Sequence, residues 1–326
     1  MVTGRWLIRV ASHARHGGGH VSRCGALAMA LAEAGAEVTL QLDPDSPEAM
    51  ARYRTLGLSA TEEDVLSTGP WRGSVLDGYE LLEREAPRFL SLAPPLAVID
   101  DFLSPPPGTE LAINSALHLD GDYIGPTPAL LGPRYAMIDP RFSRLPMKDR
   151  CRPAGHILVT MGRLDPDNLT ERALDAIGRV APAAEVTIAL PSSSPQAAVL
   201  AERARVVRDA ADMPGLLGGA DFVIGAGGVS LMERMAAGVP SLTLPLADNQ
   251  RLFVDGALRL GATAGSESND QGDIIAALRA TLADGAARTA MAAVGRRVID
   301  GKGPARVAER LVLLAQGDAE KKNAVG

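Results

Sequence analysis

Along the chain, short continuous apolar runs alternate with stretches of helical spacing, the pattern expected of a parallel sheet covered by helices. Trp6–Val10 predicts a buried strand, followed by the turn Gly17-Gly18-Gly19 and a helix whose apolar positions Val21, Cys24, Leu27 and Leu31 share a face. Gly35 is placed to end that helix, since glycine adopts the left-handed backbone that closes a helical C-terminus. Val38–Leu42 predicts the next strand, so the opening 42 residues read as a βαβ unit. Further strands are predicted at Val75–Leu76, Leu96–Ile99 and Leu111–Ile113, with Pro94-Pro95 and Pro105-Pro106-Pro107 as rigid loop ends.

Between Tyr135 and Pro153 the periodicity is lost and Arg, Pro and Asp accumulate, which marks a linker. The alternation then resumes. Strands are predicted at His156–Met161, Val186–Leu190, Arg205–Val207, Asp221–Gly225 and Ser241–Leu246, and helices at Leu169–Val180, Pro214–Leu217 and Ser230–Ala237. The fold class is therefore α/β, with an N-terminal Rossmann-like domain over residues 1–150 and a C-terminal one over 151–304. Residues 305–316 predict a terminal helix packing back across the junction, and 317–326 a frayed tail. Ligand sites are expected at the carboxyl ends of the strands, in a cleft between the halves.

A length of 326 residues favours two domains, and 46% hydrophobic against 22% charged residues is a globular balance. The net charge of −6 argues against a nucleic-acid surface, which needs clustered Lys and Arg. Cys24 and Cys151 are the only cysteines, too few for a disulfide framework or a thiolate zinc cage. A cytoplasmic setting is expected, with no integral membrane segment, and a monomer is slightly favoured.

Gly225-Ala226-Gly227-Gly228 stands between a predicted strand and a predicted helix. Glycines there let the backbone approach a ligand, and the helix start offers N–H groups and a positive dipole end to an anion. Ser230 can donate a hydroxyl and Glu233 can accept from ribose, but Ser-x-x-Glu is equally a capping box on a tight turn. His16-Gly-Gly-Gly-His20 is a parallel device in the first half. There an imidazole at an electropositive helix start would be held neutral, as a general base requires, or would simply line the turn. A zinc site from His13, His16 and His20 fits poorly, because a glycine loop fixes no tetrahedral geometry. A dinucleotide fingerprint with Asp43 as its ribose acid fails at its last glycine, which is Ser22. Asp77 with Tyr79, and the pair Asp100-Asp101, lie at strand ends where they could face a cleft or cap loops. In Asp165-Pro-Asp-Asn168, Asn168 or Asp167 reads as an N-cap, and Asn249 either points into the cleft or caps its helix.

In order, Gly17–Cys24, Asp77-Gly-Tyr79, Val98–Asp101, Gly132–Met137, Asp165–Thr170, Gly225–Gly228, Glu233-Arg234 and Asn249-Gln250 resemble the UDP-sugar hydrolases of pseudaminic acid biosynthesis, relatives of the GT-B glycosyltransferases. The resemblance covers nearly the whole chain. It implies two Rossmann-type domains with parallel sheets facing an interdomain cleft. It further implies metal-free, cofactor-free release of UDP from a 2,4-diacetamido-2,4,6-trideoxyhexose by water. His20 would then be the base, with Asp77, Tyr79 and Asn249 in the catalytic group. Gly19, Gly162, Met213, Gly227, Gly228, Val229, Ser230 and Glu233 would hold the nucleotide and diphosphate. Asp101, Asn249 and Gln250 would contact the sugar.

The chain departs from that pattern at Ala11, where the family has Asp, and at Gly78, where it has His. It departs again at Arg163-Leu164 and at Val229, where the family has Ser. Two rival expectations share the scaffold. One is a glycosyltransferase in which His20 deprotonates an acceptor hydroxyl; the other is a nucleotide-sugar-binding protein without catalysis.

Overall fold

The computed structural model describes residues 4–16, 18–117, 125–162, 165, 167–244 and 248–324, and the side chains of 14, 248, 249, 252 and 318–324 lie outside the description. Gly17, Arg163, Leu164, Pro166 and the end of the strand predicted to Leu246 therefore fall outside the described residues.

The chain divides into two compact units, Met1–Asp139 with Lys302–Gly326, and Pro140–Gly301. The first holds strands β1 (Arg5–Val10), β2 (Glu37–Gln41), β3 (Ser59–Thr61), β4 (Gly73–Asp77), β5 (Leu96–Ile99), β6 (Leu111–Asn114) and β7 (Ala129–Leu131). Every pairing is parallel, in the order β3-β2-β1-β4-β5-β6-β7. Helices α1 (Gly19–Glu33), α2 (Pro47–Thr55) and α3 (Tyr79–Leu92) connect strands in this unit. Leu27, Leu31, Ile8, Val38 and Val75 meet in one core beneath α1. Gly35 closes α1 as predicted, with φ +93° and the Ala36 N–H donated back to the Leu31 carbonyl.

The second unit contains β8 (His156–Thr160), α4 (Leu169–Val180), β9 (Glu185–Leu190), α5 (Ala197–Leu200), β10 (Arg205–Arg208) and α6 (Met213–Gly219). These are followed by β11 (Phe222–Ala226), α7 (Val229–Ala237), β12 (Ser241–Leu244), α8 (Asp248–Leu260), β13 (Ala264–Gly265), α9 (Gln271–Ala283) and α10 (Gly285–Val298). Its sheet is also parallel, ordered β10-β9-β8-β11-β12-β13.

The boundary falls eleven residues before the expected one because residues 140–150 are anchored to the second unit by hydrogen bonds. Arg150 donates to the carbonyls of Ala220 and Gly238, and Arg296 donates to those of Ser143 and Leu145. The last helix, α11, runs over Gly303–Ala324, so the tail predicted to fray from Gly317 is helical to Ala324. Val307, Leu311 and Ala315, spaced four apart, join the core of the first unit with Leu27 and Leu31. Strands β3, β7 and β13 escape the sequence pattern because each spans three residues or fewer.

In each sheet the strand order reverses once, between β1 and β4 and between β8 and β11. Parallel α/β sheets bind ligands outside the carboxyl ends of the strands at such reversals. Both candidate centres lie there.

Candidate functional site

In the first unit, β4 ends at Asp77 and α1 opens with Gly19 and His20. Asp77 is fully buried, and its Oδ1 lies 2.7 Å from His20 Nδ1. Arg23, one turn beyond His20, donates from Nε and Nη2 to the same carboxylate at 2.8 and 2.6 Å. The buried Cys24 thiol donates to Asp77 Oδ2 at 3.1 Å. Burial alone would raise the Asp77 pKa, but the charges of Arg23 and His20 and their hydrogen bonds hold it well below the usual carboxylate range. An ionised carboxylate only accepts, so the proton shared with His20 sits on Nδ1, and it is the neutral imidazole that carries a lone pair on Nε2. Arg23 Nη2, 3.2 Å from the same Nδ1, cannot donate to a protonated nitrogen and is satisfied by Asp77.

The guanidinium of Arg23 continues to Asp101, donating from Nη1 to both oxygens at 2.9 and 3.0 Å. Burial opposes the Arg23 charge, yet Asp101 and Asp77 outweigh it and raise its pKa further. Asp101 also accepts the Tyr79 hydroxyl at 2.9 Å, and the Tyr79 ring meets His20 edge-on at 5.3 Å between centroids. Thus His20, Asp77, Tyr79 and Asp101, all expected site residues, converge on one network tied together by Arg23. The adjacent Asp100 does something else: its carboxylate accepts the N–H groups of Phe102 and Ser104. One acid of the pair is in the site and the other fastens a loop.

His16 is a different histidine. Arg15 Nε donates to its Nε2 at 3.1 Å, and burial, then Arg15 and His20, lower its pKa. Asp43 serves the fold, accepting Arg9 Nη2 at 2.7 Å and the N–H groups of Ser12 and His13. Beside the network, a cavity of about 310 Å³ is lined by residues that include Ala11, His13, His16, Asp43 and Glu80. The departures at Ala11 and Gly78 touch each other. Gly78 has φ +150°, and a Cβ there would stand 2.5 Å from the Ala11 Cβ, so a side chain at position 78 would collide with the one at position 11.

The buried Asp77–Arg23 pair makes an acid-lability prediction. Because the folded pKa of Asp77 lies below its unfolded value of about 3.9, the pair stabilises fully above that pH and its contribution is lost as pH falls below it. Acid titration followed by circular dichroism should show that loss in the wild type. In Asp77→Asn the slope below about pH 4 should flatten.

In the second unit, the turn at the end of β11 leads into α7 with Gly228 as its N-cap residue, at φ +75° and with open space where a Cβ would lie. Gly228 is the glycine that a ligand could approach. The other two are fitted to the protein itself. A Cβ on Gly225 would lie 2.7 Å from Arg234 Nη1 and 2.8 Å from the Thr160 carbonyl oxygen, and one on Gly227 would lie 2.8 Å from Val254 Cγ2 and 3.0 Å from Gln250 Cβ. The capping-box alternative is not realised, because Ser230 sits inside the helix and no side chain caps α7. Val229 is its first residue and Glu233 is buried one turn on. The Ser230 hydroxyl turns back toward the loop, accepting from Arg234 Nη1 at 3.2 Å.

Arg234 is 1% exposed. It donates from Nη2 to the Ala226 carbonyl at 2.8 Å and to Thr243 Oγ1 at 3.0 Å, while its Nε has no partner. Among the described residues no carboxylate hydrogen-bonds it, and burial pushes its pKa down to about 9. A cation with little local compensation thus lies directly beneath the glycine turn.

Gly162 follows β8 with φ +81° and open space at its Cβ position, and Met213 opens α6. Gln250 packs beside Gly227. Asn249 lies in α8, but the placement of its side chain is outside the description. The start of α4 is occupied by protein: Asn168 is its N-cap residue, left-handed at φ +53° and making no side-chain capping hydrogen bond, and Asp165 accepts the Leu169 and Thr170 N–H groups. Arg23, Cys24 and Arg234 carry the geometry without having been assigned roles from sequence. Helical spacing was the available signal: Arg23 and Cys24 follow His20 by three and four residues, and Arg234 follows Ser230 by four.

Solved structures share this fold. MurG of Acinetobacter baumannii superposes with a TM-score of 0.66 at 15% identity, covering 94% of this chain and 98% of that one. The spinosyn rhamnosyltransferase SpnG complexed with thymidine diphosphate gives 0.66 at 18% identity, covering 94% and 99%. A UDP co-structure of S. aureus MnaA gives 0.66 at 12%, covering 93% and 94%. The fold is that of the GT-B glycosyltransferases, two parallel-sheet Rossmann-like domains. In sequence, the chain is 29% identical over 210 residues to the spore coat polysaccharide biosynthesis protein SpsG of Bacillus subtilis (strain 168). That alignment spans 60% of this chain and 60% of SpsG. No family model matches. Among the described residues no helix is long and apolar enough to cross a membrane.

Proposed function

We propose that the protein is an enzyme that cleaves the anomeric C–O bond of a nucleoside-diphosphate sugar, with His20 as general base and transfer to an acceptor hydroxyl as the leading reaction. The observation that carries the reading is the His20–Asp77 pair, which fixes the proton on Nδ1 and leaves Nε2 as the proton acceptor. Nε2 takes the acceptor O–H proton as the oxygen attacks the anomeric carbon. The C–O bond to the β-phosphate breaks, its electron pair leaves with the nucleoside diphosphate, and the configuration inverts. Two carboxylates, Asp77 and Asp101, flank the single guanidinium of Arg23, so the positive charge that His20 acquires is locally balanced.

The leaving diphosphate is assigned to the Gly225–Gly228 turn, with N–H groups at the start of α7 as donors. Ligated neighbours with this fold hold thymidine diphosphate or UDP, which supports a nucleoside diphosphate there. Glu233 and Gln250, beside that turn, are assigned to ribose and sugar. Tyr79 and Asp101 face the reacting end in the first unit.

Transfer is preferred because the neighbours include named glycosyltransferases and the sequence relative is named for polysaccharide biosynthesis. Hydrolysis is the second reading, favoured by the ordered motif set from Gly17 to Gln250. In it, water replaces the acceptor and the hexose is a diacetamido-trideoxy sugar. Incubation with UDP- and thymidine-diphosphate-hexoses, with and without saccharide acceptors, separates the two. Diphosphate release that requires the acceptor is the expected result; release at full rate in water alone establishes hydrolysis, and binding without any release leaves a non-catalytic protein.

A further inference from the structure

Phe102 directly follows Asp101 and is 63% exposed, whereas Trp6, Trp71, Tyr53, Phe89, Phe142 and Phe222 are all buried. Its ring lies 5.0 Å from that of Tyr79, which lies 5.3 Å from His20. Three rings therefore run in a row from the base to the surface.

The loop presenting Phe102 is held firmly. Asp100, 2% exposed, accepts the Phe102 N–H at 2.9 Å and the Ser104 N–H at 2.5 Å, and its own carbonyl accepts Asn114 Nδ2 at 3.0 Å. Leu103 between them takes a left-handed backbone at φ +55°. A buried acid and a left-handed residue thus hold the backbone that carries the ring before any ligand arrives, an arrangement that lowers the ordering cost of binding.

An isolated exposed apolar side chain needs no explanation, but this one packs on Tyr79, whose ring lies against the proton acceptor. A diphosphate gains nothing from the electron-rich face of a benzene ring. A pyranose does: its axial C–H groups form an apolar, positively polarised face, while its rim hydroxyls can reach Asp101 and Tyr79. We propose that Phe102, backed by Tyr79, is the stacking platform for the hexose ring of the nucleotide sugar. This rests on the nucleotide-sugar reading of the site.

Calorimetry with UDP, UDP-glucose, UDP-N-acetylglucosamine and thymidine-diphosphate-glucose tests it on wild type, Phe102→Ala, Phe102→Leu and Phe102→Trp. Loss of the ring should weaken the preferred nucleotide sugar about tenfold in the Ala and Leu variants, on the scale of aromatic stacking, while UDP affinity stays within about twofold. Phe102→Trp should restore binding, and its added indole should be quenched by the sugar nucleotide and not by UDP, against the buried Trp6 and Trp71. Equal loss for UDP and the sugar nucleotide, no loss for either, or no sugar adding affinity over bare diphosphate in the wild type overturns the platform. A wild type that binds neither diphosphate nor any of its sugars removes the nucleotide-sugar reading itself, and the platform with it.

Discussion

His20→Ala is expected to lower the rate of diphosphate release by about 10²–10⁴-fold, the range that a positioned base supplies. Affinity for the bare nucleoside diphosphate should be unchanged, because His20 belongs to the first unit and the glycine turn to the second. His20→Gln should not rescue, since an amide fills the space without accepting a proton. Asp77→Asn should also lose most of the rate. An asparagine amide facing Nδ1 can donate, which favours the tautomer with Nδ1 as acceptor and the proton on Nε2, where it blocks the base. Single-turnover kinetics with the most readily turned-over sugar nucleotide measure both, and unchanged turnover in His20→Ala would remove the base from the mechanism.

Arg234→Met should move affinity and stability in opposite directions. The guanidinium is buried with, among the described residues, no carboxylate hydrogen bond and no partner for Nε, so the fold bears a desolvation penalty that a methionine of similar length removes. Against that, the Ala226 carbonyl loses a donor, at a cost of about 1–3 kcal/mol. Thr243 Oγ1 keeps its 2.7 Å hydrogen bond to Thr263 Oγ1. The two effects nearly cancel, and the melting temperature is expected to hold or rise. Diphosphate binding should weaken by about 10–100-fold, because a charge-assisted contribution of roughly 1.5–3 kcal/mol is withdrawn from beneath the turn. Uridine, which has no phosphate, should be unaffected. Equal weakening of uridine and UDP would mean that Arg234 only shapes the turn.

The regular alternation of apolar runs and helical stretches was enough to read the two parallel sheets, because long buried strands such as Trp6–Val10 and His156–Met161 leave a continuous apolar signature. Three-residue strands such as β3 leave none, since Ser59-Ala60-Thr61 is indistinguishable from a polar loop. His20 and Asp77 were legible from their places beside a glycine turn and at a strand end. What joins them was not: Arg23 reads as one more polar helix residue until β4 and β5 bring Asp77 and Asp101 to either side of it. The glycine turn was read correctly as a strand-to-helix junction, but for the wrong reason at two positions. Gly225 and Gly227 are small because Arg234, Val254 and Gln250 occupy the space, a tertiary cause that local sequence cannot display.

The placement of α11 has a consequence for synthesis. The second unit is continuous over Pro140–Gly301, so all of its residues have been synthesised before Val307, Leu311 and Ala315 are made. The unit that begins first is thus completed last, with Leu27 and Leu31 lacking their α11 neighbours throughout translation of its successor. A released chain ending at Gly301 should carry a protease-resistant second unit and a first unit still open to cleavage, whereas the chain that includes α11 should resist in both.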